Sequence, residues 1–212
     1  MLKYQSGADI AESIGGVNSK EQALTVFETV MDQAHYERIM RVNNPGVWIK
    51  IANAARVCRP ERVYINTGTE QDRAFIRNLA VEQGEETALA IDGHTVHFDL
   101  EEEQGRIVDR TFYVTDPGEN ISTLANRKDR AEALAETESN MSGIMQGLIM
   151  IVGFYMRGPI GAPVSNPAME LTSSAYVAHS AELLYRNAYF GFESEVVRLG
   201  YFFTNIHSQG QN

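Results

Sequence analysis

The stretch from Gly147 to Tyr155 is almost wholly apolar, and the turn-rich run Arg157-Gly-Pro-Ile-Gly-Ala-Pro163 follows it. Its centre, Leu148 to Val152, is the longest uninterrupted apolar run in the chain. That is far short of the roughly eighteen residues a membrane-spanning helix needs. A short apolar segment followed by turn formers reads as a strand covered on both faces. A strand of that kind must be covered on both faces, and the strand, turn and helix order between Arg62 and Gly84 suggests an α/β unit.

The flanking sequence supplies those helices. Ser19 with Gln22 has capping-box spacing, and Leu24, Phe27, Met31, Ala34, Ile39 and Val42 share one face of a helix expected from Ser19 to Val42. Pro45 suits the first turn of a second helix reaching Cys58, which Pro60 stops. Arg62 to Asn66 has strand composition, Gly68 turns the chain, and Thr69 with Asp72 caps a third helix that ends near Gly84.

Further on, Thr87–Ile91 and His94–Asp99 flank Asp92-Gly93, a hairpin signal. A strand is expected from Arg110 to Thr115, then a turn at Asp116-Pro-Gly118 and a charged helix from Lys128 to Met141. Ala168 to Leu171 reads as a strand, Ser174 to Asn187 as a helix and Val196 to Ile206 as a final strand. The polar end, His207 to Asn212, reads as a cut or a linker. The expectation is α/β: a mixed β-sheet flanked by helices in residues 45–212, with a helical N-terminal extension in residues 1–44.

Charge and cysteine usage narrow the functional classes. A net charge of −10 opposes a nucleic-acid or anionic-membrane surface, both of which need clustered Lys and Arg. One cysteine, Cys58, rules out an intramolecular disulfide and a cysteine-rich zinc site. The first residues lack the layout of a signal peptide, so a cytoplasmic location is expected. A small anion is still an acceptable ligand, because two or three local donors can hold a carboxylate inside an acidic protein.

No Gly-x4-Gly-Lys-Ser/Thr and no Gly-x-Gly-x-x-Gly after a strand occurs, so no recognised nucleotide site is legible. His94 and His97, three apart on a strand, point to opposite faces and make a poor metal pair. Glu101 to Glu103 reads as a solvated loop. Two loops remain as ligand candidates. One is Gly105-Arg106, whose guanidinium has the fork geometry for a carboxylate; the other is Arg157 to Pro163 at the end of the most apolar strand.

Several segments resemble, in order, those of the GTP-dependent phosphoenolpyruvate carboxykinases. Ala54-Ala-Arg-Val-Cys58-Arg-Pro60 followed by Tyr64-Ile-Asn-Thr-Gly68-Thr-Glu-Gln-Asp72 is similar to that family's A-x-L-C-x-P … I-x-x-x-D-G-S-x-E-E region. Gly105-Arg106-Ile-Val-Asp-Arg110-Thr-Phe-Tyr-Val-Thr115 resembles A-R-V-E-S-K-T-x-I-V-T. Met145 to Pro163 resembles M-Q-G-R-T-M-Y-V-x-P-F-S-M-G-P-x-G-S-P, and Leu171-Thr-Ser-Ser-Ala-Tyr-Val177 resembles L-T-D-S-A-Y-V. The likeness runs from about Pro45 to Tyr189.

The resemblance implies a gluconeogenic enzyme that interconverts oxaloacetate and phosphoenolpyruvate, decarboxylating the first and phosphorylating the enolate from GTP, with Mn²⁺ or Mg²⁺. By position, Arg106 matches the family's mobile-loop arginine that holds the substrate carboxylate. Val108 stands where glutamate is usual, Leu148 where arginine or lysine is usual, and Ser173 where aspartate is usual. The family's Tyr-Gly-Gly loop, its lysine, histidine and aspartate metal ligands and its P-loop have no counterpart here. The chain is therefore expected to lack complete cofactor sites, to be inactive alone and to work with the C-terminal nucleotide-binding domain of the same, monomeric enzyme. The alternatives are a stand-alone module binding a small anion and a protein-interaction module.

Overall fold

Ser19, Asp32 and Asn44 each accept a hydrogen bond from the backbone N–H three residues on, and each begins a helix. In the computed structural model, which describes residues 10–99 and 107–208, four helices open the chain. They are α1 (Ile10–Gly15), α2 (Lys20–Val30), α3 (Gln33–Arg41) and α4 (Pro45–Cys58). The single helix expected from Ser19 to Val42 is thus two helices. Met31 is extended, with φ −124° and ψ 142°, and the Asp32 carboxylate takes the His35 N–H at 2.9 Å. The apolar period runs through the break, but an aspartate that satisfies a helix's first donors competes with a continuous ladder.

Helix α4 begins and ends as expected and is buried along most of its length. Its one buried amide is fully used: Asn53 accepts from Val17 N at 2.8 Å and donates to Val17 O and Ile49 O at 2.9 Å each. Val17, Phe27, Ile39 and Val42 lie in the same core cluster as Trp48, Ile51 and Phe154, so the first helices and α4 share one interior.

After β1 (Arg62–Ile65) and α5 (Glu70–Glu82) come the short strands β2 (Thr87–Ala88) and β3 (Thr95–Val96), a 3-10 turn at Val108–Arg110, β4 (Tyr113–Thr115) and β5 (Arg127–Asp129). Then follow α6 (Arg130–Met141), β6 (Ile149–Arg157), β7 (Asn166–Thr172), α7 (Ala175–Leu184), β8 (Arg186–Asn187), α8 (Phe192–Leu199) and β9 (Phe203–His207). The main sheet has the order β1-β6-β7-β9, and β8 also pairs with β6. β1 runs parallel to β6, β6 antiparallel to β7 and β8, and β7 parallel to β9, so the sheet is mixed as expected.

β6 is the central strand that its apolar run requires. Met150, Val152, Phe154 and Met156 join the cluster with α2, α4 and α8. Ile151 instead joins Tyr64, Ile76, Ala80, Ala175 and Ala178, under α5 and α7 on the opposite face. Gly153 is required here because a Cβ would stand 2.4 Å from the Tyr155 ring that lies across it.

Several boundaries differ from the sequence reading. The Asp92-Gly93 hairpin is present, but its ladder is only Thr87↔Val96 and Ala88↔Thr95. The strand expected from Arg110 begins at Tyr113, because Arg110 N bonds Ile107 O at 3.0 Å and Thr111 Oγ1 bonds it at 2.9 Å, closing a turn. The final strand expected from Val196 starts at Phe203. Phe192 and Val196 instead make one buried face of α8, which stops at Gly200 with φ 77°. The helix from Ser174 ends at Leu184, and Arg186–Asn187 returns to pair with β6.

Candidate functional site

The turn that follows β1 is built around one carboxylate. Asp72 has no exposed side-chain surface, and both of its oxygens are satisfied. Oδ1 accepts from Tyr64 Oη at 2.6 Å and Arg38 Nη1 at 2.9 Å; Oδ2 accepts from Thr67 N at 2.8 Å and Thr67 Oγ1 at 2.5 Å. Burial alone would raise the Asp72 pKa, but the bonds from Thr67 and Tyr64 and the Arg38 charge outweigh it and hold the acid below its ordinary value. Burial, with the Asp72 hydrogen bond and charge, pushes the Tyr64 phenol strongly up.

Neighbouring groups lock this turn to α3. Arg38 Nη1 also donates to Ile65 O at 2.9 Å, and Ile65 N donates to His35 Nδ1 at 3.0 Å. Burial, ahead of the neighbouring charges, lowers the His35 pKa, which agrees with Nδ1 acting as an acceptor. The His35 and Phe75 rings lie 4.3 and 4.4 Å from that of Tyr64. Beside this assembly lies a cleft of about 290 Å³ bordered by Arg38, Arg41, Thr67, Thr69, Tyr189 and Phe190.

A second buried acid, Glu182 on α7, joins the end of β1 to β8. Its Oε1 accepts from Asn66 Nδ2 at 2.7 Å and Asn187 Nδ2 at 3.1 Å. Its Oε2 makes no hydrogen bond, with Arg73 Nε 3.5 Å away as an ion pair. Gly68, at φ 75°, leaves room for Asn187; a Cβ there would come within 2.4 Å of it.

The two loops singled out from sequence fare differently. Arg157 to Pro163 leaves β6 and is held by α8: Arg198 Nη2 donates to Ala162 O at 3.1 Å and pairs with Glu195 at 2.5 Å. Ser165 Oγ donates to Pro159 O across the same loop. These contacts give it a structural explanation. Gly105, Arg106 and the acidic stretch Glu101 to Glu103 lie outside the described residues.

The chain on either side of Arg106 is described. Before it, the hairpin meets the start of α7: Glu85 Oε2 accepts from Ser174 Oγ at 3.0 Å and Tyr176 N at 2.5 Å, and the His97 ring stacks 3.6 Å from Tyr176. His94 faces elsewhere, with Nδ1 3.1 Å from Asp92 O, so the two histidines do not converge. After it, Asn126 Nδ2 donates to Val108 O at 2.7 Å, and β4 pairs in parallel with β5.

Among the described residues no group of three His, Cys, Asp or Glu side chains is placed to hold a metal ion. Both oxygens of Asp72 are taken by protein donors, and Glu182 uses Oε1 on Asn66 and Asn187 and pairs Oε2 with Arg73, so neither acid is part of a cation-binding cluster. From sequence, Asp72 reads as part of a helix cap and Tyr64 and Asp72 as positions of the family-like segment, while nothing singles out Arg38 or Glu182. Thr69 does cap α5, accepting from Asp72 N at 3.3 Å. Arg38 reaches Asp72 from 34 positions away and Asn66 meets Glu182 across 116, beyond any local pattern.

With this geometry in view, the chain belongs to the phosphoenolpyruvate carboxykinase N-terminal domain family, whose model matches residues 48–212. Phosphoenolpyruvate carboxykinase (GTP) of Pyrococcus furiosus is 36% identical over 193 residues, covering 90% of this chain and 30% of that protein. The Saccharolobus solfataricus protein of the same name is 34% identical over 191 residues, again 90% and 30%. The human mitochondrial one is 28% identical over 151 residues, covering 66% and 24%. The chain thus spans about 30% of the length of its archaeal relatives. No described helix is long and apolar enough to cross a membrane.

Proposed function

We propose that this chain is the substrate-binding N-terminal portion of a GTP-dependent phosphoenolpyruvate carboxykinase. In this reading oxaloacetate or phosphoenolpyruvate is held through a carboxylate by Arg106, in the cytoplasm and in the service of gluconeogenesis. The observation that carries it is the family match over residues 48–212, which includes Arg106 and both described flanks of its loop. A guanidinium gives two parallel N–H donors to one carboxylate and so fixes both position and orientation of a small dianion.

GTP and the divalent cation belong, in this proposal, to the C-terminal nucleotide-binding domain of the same monomeric enzyme. Asp72 is spent on the fold and no described acids cluster as metal ligands, so no step of metal or nucleotide chemistry is assigned to them. Residues 45–212 form the carboxykinase-like domain and residues 1–44 its helical extension. The described parts of both share one core.

The test is a titration of oxalate, a dicarboxylate of the same charge type, into the 212-residue chain and its Arg106→Ala variant. Binding weakened at least about tenfold in the variant supports the reading, since a charge-assisted pair contributes roughly 1.5–3 kcal/mol. Equal binding by both proteins rejects Arg106 as the carboxylate holder.

A further inference from the structure

We propose that the cleft between α3 and the Tyr189–Gly191 turn binds a small phosphate monoester with an apolar body. The proposal uses neither Arg106 nor the carboxykinase reading. The cleft encloses about 290 Å³. That is near the lower end of the roughly 300–1,000 Å³ that small-molecule pockets span, so the ligand is limited to a single ring or a short chain.

Its walls come from three parts of the chain and differ in chemistry. One is the last turn of α3, which carries Arg38 and Arg41 at a spacing that puts both on one face. The second is Thr67 and Thr69 in the turn after β1. The third is the 3-10 turn Tyr189–Gly191, where Phe190 is 79% exposed and its ring stands edge-on to that of Tyr189 at 5.0 Å. Tyr189 Oη donates to Arg38 O at 2.8 Å, which seats the aromatic wall against the cationic one.

A count of donors shows what is left for a ligand. Arg38 spends Nη1 on Asp72 and Ile65 O and keeps 26% of its side chain exposed. Arg41 makes no hydrogen bond or ion pair with any described residue. The Thr67 hydroxyl proton goes to Asp72, whereas Thr69 Oγ1 accepts from Asp72 N and still has its own proton to give. Burial raises the Tyr189 phenol, and the Arg41 and Arg38 charges oppose it, so both cations act within the cleft. One acid shares the rim: Glu37, whose Oε1 accepts from Gln33 Nε2 at 2.8 Å. Asp72 already balances Arg38, and Arg41 is the unspent charge.

A terminal phosphate carries up to two charges and three acceptor oxygens, which two guanidinium groups and a hydroxyl can serve together. A carboxylate, with one charge and two oxygens, leaves part of that set idle. The exposed Phe190 ring supplies apolar cover for the body of the ester.

Phenyl phosphate, inorganic phosphate and benzoate are titrated at constant ionic strength into the wild-type chain and its Arg41→Ala, Glu37→Gln and Phe190→Ala variants. Amide NMR shifts record where each binds, and urea midpoints confirm that the variants, all at exposed positions, remain folded. Phenyl phosphate is expected to shift Arg41, Thr69 and Phe190 and to bind about tenfold more weakly to Arg41→Ala. Phe190→Ala should bring phenyl phosphate down to the affinity of inorganic phosphate. Glu37→Gln should tighten both by about two- to threefold, since it removes a like charge from the rim. Equal binding by wild type and Arg41→Ala, or shifts confined to other residues, overturns the site. Benzoate binding as tightly as phenyl phosphate overturns the phosphate assignment, and unchanged binding in Phe190→Ala overturns the apolar body. A wild-type chain that ignores millimolar phenyl phosphate rejects the proposal outright.

Discussion

The sheet built on β6 and the segment from β2 to β5 come from one chain but are stabilised differently. Around β6 nearly every side chain is covered, and the backbone is paired on both sides to β1, β7 and β8. In the second segment, β2 with β3 and β4 with β5 form separate two-stranded ladders of two and three residue pairs. Large apolar side chains there face water: Phe98 is 80% exposed and Leu124 95%. Two-stranded ladders are marginal by themselves, so this segment depends on side-chain anchors such as Glu85, His97 and Asn126. The expected ligand arginine, Arg106, lies in sequence between β3 and β4 and outside the described residues.

The comparison breaks if the two regions respond alike to mutation. Phe154→Ala removes a wholly buried ring that packs against Tyr189 and Phe192 at 5.9 and 5.0 Å. A loss of about 3–5 kcal/mol is expected in urea unfolding. Asp72→Ala is expected to cost a comparable amount, roughly 3–5 kcal/mol, because Arg38 and the Tyr64 hydroxyl are left without their buried partner. A cost below about 1 kcal/mol for either would mean that the sheet is no more tightly determined than its surroundings.

Acid response sharpens the same contrast. His35 and Asp72 both have folded pKa values below their ordinary ones. The unfolded chain therefore binds protons first, and the stability each group contributes is present at higher pH and lost as pH falls. For His35 the loss begins near pH 6.5, and for Asp72 near pH 4, each continuing down to the folded value. His35→Gln, which can still accept from Ile65 N, should flatten the upper part of that decline in urea midpoints measured from pH 8 to 5. An unchanged slope would remove His35 from the account.

Smaller effects should mark the outer parts. Cys58 is buried, and burial pushes its thiol up to about 11, so iodoacetamide near pH 8 should modify it only after denaturant is added. Rapid labelling in buffer would show that the interior opens more readily than its packing suggests. Leu124→Ala is expected to change stability by less than about 0.5 kcal/mol. A larger loss would mean that the exposed segment buries this residue against a surface not seen in the isolated chain.

How far the sequence could be read follows the range of the forces involved. The Pro45–Cys58 helix, the β1–α5 unit and the β6 strand were legible because caps, prolines and apolar runs act over a few residues. The break at Met31–Asp32 was not, since the apolar spacing of Phe27, Met31 and Ile39 continues through it. Helix α8, Phe192–Leu199, overlaps the start of the strand expected over Val196–Ile206 for a related reason: a short mixed run of apolar residues suits either period until Gly200 is recognised as a stop. Arg106 is legible as a motif position but lies outside the described residues, whereas the described assembly of Arg38, Tyr64, Thr67 and Asp72 is not legible in the sequence.

The sequence by itself determined the layered α/β class, the positions of most helix starts and the family to which the chain belongs. The class and the helix starts depend on local chemistry, namely which residues cap, which stop a helix, and where an apolar run demands cover on both faces, and the family follows from the resemblance of ordered segments. Only the tertiary structure decided that Asp72 is spent on Tyr64, Thr67 and Arg38, that Glu182 ties Asn66 to Asn187, and that His97 meets Tyr176. The reason is physical. A buried charge or ring must find its partners wherever the packed layers bring them, and Arg38 for Asp72, Asn66 for Glu182 and Tyr176 for His97 lie dozens of residues away, where no local pattern can announce them.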